Sequence, residues 1–299
     1  MLVALTGASG FVGSYTAHAL KARGHRVRAL VRASSRRDHI ADAVSEWVDG
    51  EQQDAAAHRK LVDGVDAVIH NAVDFGAARS MAENLETNVR GSLMLLDATR
   101  AAGVKQFIFV SSVGALTRIS PEWGGQVDEL HPLWPGSLYG AYKAAVEAFC
   151  WAYQQQHGMN TSAWRPAAIY GVDPKRERSQ WHDLIGKVKA GEPVDTAGGG
   201  KITHVQDVAD ALALALGDET VSGQAFNLID RHLYWQDVAE IAKQVTGSSS
   251  IIENIKGTGP KNQFDCRMAI EFFNRHGNTV ALRRGTEGVR EYVGQLLKA

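Results

Sequence analysis

The sequence predicts an α/β chain: a doubly wound parallel sheet with a smaller C-terminal lobe. Three observations carry this. The apolar run Leu2-Val3-Ala4-Leu5 leads straight into a glycine-rich turn, Thr6–Gly13. Strand-like and helix-like runs then alternate as far as Tyr170. The run Phe107-Ile108-Phe109-Val110 is apolar on both faces, as expected of a central strand covered by helices on both sides. Such alternation builds a parallel sheet. Right-handed crossovers bring the strand C-termini to one edge, and ligands of such sheets bind beyond that edge.

Taken in order, Leu2–Thr6 reads as a strand and Phe11–Arg23 as a helix ended by Gly24. Strands follow at Arg26–Val31 and Glu46–Val48, then a helix over Ala55–Val62 and a strand at Ala67–His70. Leu85, Val89, Leu93 and Leu96 place one apolar face on a long helix, Asn84–Ala102, closed by Gly103. Gln106–Ser111 is a strand, Leu138–His157 a helix and Thr161–Arg165 a strand. Beyond Gly171 the pattern loosens: Trp181–Ala190 looks helical and Thr196–Gly200 reads as a turn. Val205–Leu216 and Ala225–Leu228 return a helix and a strand to the sheet. Short helices follow from Trp235, with Pro260 breaking one connection. The expected organisation is a nucleotide-binding domain of residues 1–170 and 205–228, with a substrate lobe of 171–204 and 229–299.

A chain of 299 residues is long enough for a core that needs no disulfide. Cys150 and Cys266 read as buried thiols. No Cys/His cluster has metal-ligand spacing. The formal net charge of -1 gives no sign of nucleic acid or an anionic membrane as a partner. No apolar stretch spans a bilayer, and the first strand leaves no room for a signal segment. A cytoplasmic protein with a small-molecule substrate is the expectation.

The glycine turn suggests the first site. Gly7 serves a tight turn, Gly10 leaves room for phosphates, and Gly13 lets the helix pack close to the strand. The positive end of that helix favours a pyrophosphate. The spacing is G-x-x-G-x-x-G rather than G-x-G-x-x-G.

Tyr139 and Lys143 suggest the second. At i and i+4 they share one helix face. A tyrosine has a pKa of about 10; a nearby ammonium and an oxidised nicotinamide cation stabilise its phenolate. Tyr139 then exchanges a proton with a hydroxyl or carbonyl near neutral pH. Ser112, at the end of a neighbouring strand, polarises the substrate oxygen. Taken alone, the pair fits a solvated helix face at least as well. Tyr142, next to the lysine, is not expected to share that face.

The order of these pieces is more specific than any one of them. T-G-x-x-G-x-x-G is followed by His70-Asn71-Ala72, Asn88, Ser111-Ser112, Y-x-x-x-K at 139–143, then Arg165-Pro166-Ala167-Ala168-Ile169-Tyr170-Gly171 and His204–Ala209. This resembles the extended short-chain dehydrogenase/reductase family, also called the NAD-dependent epimerase/dehydratase family, with its Rossmann fold. The resemblance implies that Gly7, Gly10, Phe11, Val12 and Gly13 line the pyrophosphate. It implies Tyr139 as general acid/base, Lys143 as its partner, Ser112 as the substrate-orienting hydroxyl and Ser111 beside the nicotinamide. Asn88 matches a helix asparagine that supports the site or kinks the helix. Pro166 and Ile169 border the nicotinamide pocket, and His70 is structural. The family also implies pro-S hydride transfer, and a possible homodimer through helices near 84–102 and 138–157.

At the end of the second strand, where NAD enzymes of this fold place an acid, stands Val31, followed by Arg32. A cation there suits the 2′-phosphate of NADP. Arg36 or Arg37 is placed to assist, and Glu51 to meet the adenine. Val27-Arg28-Ala29-Leu30-Val31-Arg32 resembles the NADP-using dihydroflavonol and cinnamoyl-CoA reductases. NADP is therefore expected, with NAD the alternative. Three reactions remain. A reductase or dehydrogenase acts on a carbonyl or secondary alcohol, with Trp123, Pro132, Trp134 and Pro135 walling its pocket. A nucleotide-sugar epimerase uses the same Ser-Tyr-Lys set, but Val113-Gly114 stands where sugar dehydratases carry Asp-Glu, and Lys201 where a diphosphate-binding arginine is expected. A non-enzymatic NADP sensor comes last, because Tyr139 and Lys143 are both retained.

Overall fold

A computed structural model describes residues 1–74, 80–119, 121–253 and 262–298. Pro260 lies outside them. The first half of the sheet runs β1 (Leu2–Thr6), α1 (Phe11–Ala22), β2 (Arg26–Val31), β3 (Glu46–Asp49), α2 (Ala55–Val62) and β4 (Ala67–His70). Then come α3 (Met81–Leu85), α4 (Gly91–Ala101), β5 (Gln106–Val110), β6 (Gln126–Val127), α5 (Leu138–His157) and β7 (Asn160–Pro166). The chain continues through β8 (Ala168–Tyr170), α6 (His182–Lys189), β9 (Val194–Asp195), β10 (Gly199–His204), α7 (Val205–Leu214) and β11 (Gln224–Leu228). It ends with β12 (Arg231–Tyr234), α8 (Trp235–Thr246), β13 (Ile252–Glu253), β14 (Gln263–Phe264), α9 (Arg267–Arg275) and α10 (Gly285–Lys298).

Seven strands form one parallel sheet in the order β11-β7-β5-β4-β1-β2-β3. Strand order reverses between β1 and β4, where Thr6 is in register with His70. That is where such a sheet opens a ligand crevice. On one face Ala17 and Leu20 of α1, Val208 and Leu212 of α7 and Phe272 of α9 cover the sheet. On the other lie Leu61 of α2, Leu95 and Leu96 of α4, and Val146 and Cys150 of α5. Both faces of β5 are thus covered, which is why Gln106–Val110 is buried throughout. A separate core lies in the C-terminal lobe, with Ile185, Val238, Ile241 and Val289 around Tyr170 and Ile202.

Two elements depart from the sequence expectation. The helix expected over Asn84–Ala102 starts earlier, at Met81, with Ser80 and Glu83 forming a capping box. It also widens into a π-turn at Glu86–Arg90. Hydrophobic period reports neither a cap nor one inserted residue. The second departure is Gly199-Gly200, which belongs to strand β10 rather than to a turn. A Cβ on Gly199 would lie 2.7 Å from the Leu233 carbonyl oxygen, so glycine here serves the close approach of β12.

The glycine turn shows why its residues are small. Gly7 has φ +70, and a Cβ on Gly13 would lie 2.0 Å from the Gly7 carbonyl oxygen. Gly13→Ala should therefore cost roughly 1–3 kcal/mol from overpacking. Gly24→Ala, at φ +77 with nothing within 4 Å, should cost about 1 kcal/mol from backbone strain alone. Thermal or urea unfolding of the two variants measures the difference. An equal or smaller loss at position 13 would contradict the close approach.

Candidate active site

Lys143 is the centre of the site. It is 2% exposed, and its ammonium donates to the Val110 carbonyl at 2.6 Å. The rings of Phe109, Tyr142 and Tyr139 lie 4.9, 5.0 and 5.7 Å from the nitrogen. Burial pulls the ammonium's pKa down to about 7, against an upward pull from Glu147. Tyr142 therefore does flank the lysine, contrary to expectation. Consecutive helical residues diverge by about 100°, but the lysine reaches back over the ring. The Tyr142 phenol is buried, which pushes its pKa up strongly, and its hydroxyl donates to the Ala72 carbonyl at 3.4 Å.

Tyr139 is the accessible phenol, 37% exposed. Burial raises the pKa of its hydroxyl, and the adjacent Ser112 lowers it by a smaller amount, so the net shift is upward. The lowering expected from a nearby ammonium is absent: Lys143 points its charge at the end of β5. Ser112 Oγ accepts from the Gly114 N–H at 3.0 Å. A Cβ on Gly140 would lie 2.2 Å from the Gly114 carbonyl oxygen. The start of α5 is therefore pressed against the turn that follows Ser112. This brings Ser112, Tyr139 and Lys143 together at the carboxyl end of β5.

Asn88 lies elsewhere in the crevice. Its amide accepts from Asp74 N–H at 2.8 Å and donates to the Asp74 carbonyl at 2.9 Å. Its backbone carbonyl accepts from the Ser92 hydroxyl at 2.5 Å. His70 joins this chain through Thr6 Oγ1 at 2.8 Å and Ser92 Oγ at 2.7 Å. Ser111 donates to Glu147, which forms a buried ion pair with Arg165 at 2.7 Å. Nothing in the sequence spacing marked Glu147 or Arg165 as partners. The one available signal was Glu147 at i+4 from Lys143.

At the other end of the crevice, Gly10 caps α1 with no side-chain hydrogen bond. The first helical bond there is Ser14 N–H to the Gly10 carbonyl, 2.9 Å, so the N–H groups of Phe11, Val12 and Gly13 precede the ladder. Arg32 is exposed just past β2. Arg36 is held by Asp38 through a forked pair at 2.9 and 3.0 Å. Arg37 pairs with Asp49 and stacks over Trp47 at 5.2 Å. Glu51 is exposed after Gly50, whose N–H donates to the Val31 carbonyl. Pro166 is buried at the end of β7 and Ile169 half-buried in β8.

Trp123 does wall a groove of about 630 Å³, with Ile229, Phe264 and Cys266 among its neighbours. Pro132 lines another of about 500 Å³. Neither includes Ser112, Tyr139 or the glycine turn. The converging hydroxyls and the buried cation are therefore the stronger marker of the site. Lys201 is tied to Asn262 and lies over the Phe264 ring at 5.3 Å. Cys150 and Cys266 are free, buried thiols. Among the described residues there is no group of His, Cys, Asp and Glu fit to hold a metal, and no helix long and apolar enough to cross a membrane.

Burial pulls the His70 pKa down to about 3, below its ordinary 6.5. The unfolded chain therefore binds a proton there before the folded chain does. The stabilisation is complete above pH 6.5 and is lost as pH falls toward 3. His70→Asn should lower stability at pH 7, by breaking the bonds to Thr6 or Ser92. It should also flatten the acid slope between about pH 6 and 4 by up to one proton, read from urea midpoints across pH. His204, also lowered, to about 4, accounts for part of the remaining slope. An unchanged slope in the variant would contradict a neutral His70.

A family model described as the NAD dependent epimerase/dehydratase family matches residues 3–228. A Synechocystis protein, named provisionally as a dihydroflavonol 4-reductase, is 32% identical over 179 residues, 59% of this chain and 49% of that one. The UDP-glucose 4-epimerase of Mycolicibacterium smegmatis is 31% identical over 243 residues, 76% of this chain and 77% of that one. Among solved structures, the UDP-glucose 4-epimerase of Thermus thermophilus in complex with NAD superimposes with a TM-score of 0.78 at 24% identity, covering 100% of both chains. The glycine turn, the parallel sheet and the grouped Ser112, Tyr139 and Lys143 agree with these matches, and the chain belongs to the NAD-dependent epimerase/dehydratase family, a family of enzymes.

Proposed function

We propose that the chain is an NADP(H)-preferring oxidoreductase acting on a carbonyl or secondary alcohol of a small molecule. The single observation that carries this is the juxtaposition of Ser112 and Tyr139, which lie 3.3 and 3.6 Å from the same Cβ position on Gly114, beside the buried Lys143 ammonium. The residues present fit a dinucleotide. Gly7, Gly10 and Gly13 form a cradle in which a Cβ on Gly7 would lie 2.9 Å from Ala72 backbone atoms. The free N–H groups of Phe11, Val12 and Gly13 face the pyrophosphate in this reading. Ser111, Pro166 and Ile169 border the nicotinamide end, and Glu51 the adenine. A bound nicotinamide supplies the hydride. Ser112 holds the substrate oxygen, and Tyr139 donates a proton to it. The upward shift of the Tyr139 pKa keeps that phenol protonated at neutral pH, as carbonyl reduction requires. Lys143, 5.7 Å from the Tyr139 ring, holds the start of α5 to the end of β5 beside it. Asn88 supports the crevice through Asp74 without touching the reacting groups. Residues 171–204 and 229–299 select the substrate.

Arg32 supports the NADP preference. No acid stands at the end of β2, and Arg36 and Arg37 are engaged by Asp38 and Asp49. Arg32 has no ion-pair partner among the described residues and is left to meet a 2′-phosphate. The likeness to the M. smegmatis UDP-glucose 4-epimerase favours a second reading. In it Tyr139, Ser112 and Lys143 oxidise and re-reduce one sugar carbon without net cofactor turnover. Against it, Lys201 is committed to Asn262.

Aldehydes, ketones and nucleotide sugars screened with NADPH and NADH side by side separate the readings. Net NADPH oxidation by a carbonyl substrate is expected, whereas epimerisation of a nucleotide sugar alone would establish the alternative. Tyr139→Phe should lower turnover by about 10²–10⁴-fold, with NADPH affinity changed less than about threefold. Arg32→Ala should weaken NADPH binding by at least about tenfold, or ~1.4 kcal/mol, and leave NADH almost unaffected. Equal losses for both cofactors would remove Arg32 from the selectivity.

A further inference from the structure

We infer that the buried Glu147–Arg165 pair is a positioning element that sets the charge and location of the Lys143 ammonium. The inference rests on the proposed role of Lys143, but its central measurement does not.

Glu147 lies one helical turn beyond Lys143, on the same face of α5. Glu147 is 0% exposed and Arg165 2%. Both carboxylate oxygens are occupied. Arg165 Nε donates to each at 3.1 Å, its second nitrogen donates to Oε2 at 2.7 Å, and Ser111 donates to Oε1. Arg165 also donates to the Glu129 carbonyl at 3.3 Å. Ser111 stands between Val110, whose carbonyl receives the Lys143 ammonium, and Ser112, which lies beside Tyr139. One carboxylate therefore fixes the end of β5 to α5 at the residue that joins both contacts. Among the described residues it is also the carboxylate that acts on the buried Lys143 cation. Among the described residues the groups facing Lys143 are Tyr139, Tyr142 and Glu147 from α5, Phe109 and the Val110 carbonyl from β5, and His70 from β4; Ser111, just past β5, and Arg165 of β7 reach it through Glu147. His70 is neutral above about pH 3. Among the described residues Glu147 is the formal charge that acts on the ammonium directly, and Arg165 acts through its ion pair with Glu147.

Opposite charges predict opposite effects. In the full chain carrying ¹³Cε-labelled lysine, the Lys143 signal is assigned by its loss in Lys143→Met and titrated by NMR, without cofactor or substrate. Glu147→Gln should lower its proton affinity at least about tenfold, roughly one pH unit. Arg165→Gln should raise it. The double variant, a neutral amide pair of similar volume, should fold most readily and show a smaller fall than Glu147→Gln alone. A purely structural pair would lower stability in both single variants and move the titration in neither. An unmoved Lys143 titration in Glu147→Gln, or in the double variant where the single one does not fold, overturns the inference. So does a shift of the same sign in both single variants. The functional reading stands or falls separately, on the turnover of Tyr139→Phe.

Discussion

An ammonium taken out of water is the constraint on which this structure turns. An unpaired buried charge is prohibitively unfavourable, so Lys143 persists only where its surroundings replace the lost hydration. A carbonyl at the end of β5, three aromatic faces and a carboxylate one turn away provide that replacement. Each partner belongs to a different residue environment, and all must hold register together. Glycines at 114 and 140 let the turn after Ser112 and the start of α5 come into backbone contact. The network of Ser111, Glu147 and Arg165 then ties that helix to β5 and β7. The position of Tyr139 follows from these requirements.

The sheet makes this arrangement possible. In a parallel sheet all strand ends that precede helices lie on one edge, so residues distant in sequence meet there. Thr6 and His70 end the adjacent strands β1 and β4, and Ser111 follows β5, the next strand. The buried chain from Thr6 through His70 and Ser92 to the Asn88 carbonyl runs along that edge. It joins the glycine turn to the helix that faces α5. Within the π-turn the Asn88 carbonyl accepts from the Ser92 hydroxyl four residues on.

Much of this was legible in the sequence, because it depends on local rules. Periodicity located the strands and most helices, and small residues at 7, 10 and 13 marked a turn that admits no side chains. The spacing of Tyr139 and Lys143 placed them on one face. Other features were not legible, because they depend on non-local contacts. Arg165 meets Glu147 only after β7 and α5 pack. Tyr142 flanks the lysine only because the long lysine side chain bends back over its ring. Gly199 and Gly200 resemble a turn until β12 is laid beside them. The π-turn inserts one residue into a pattern whose average period hardly changes.

The cofactor question is governed by the same competition for partners. Three arginines lie close in sequence after β2, which suggests a strongly cationic site. The folded chain divides them. Asp38 takes Arg36 in a forked pair, while Asp49 and the Trp47 ring hold Arg37. Asp49 ends the strand next to β2, and Arg37 offsets its charge there. An uncompensated carboxylate at that place would oppose a phosphate. Arg37 thus favours NADP in this reading without touching it, by removing a repulsion, while Arg32 supplies the attraction. Selectivity that rests on one free guanidinium is readily lost by one substitution, because the neighbouring cations are already committed elsewhere.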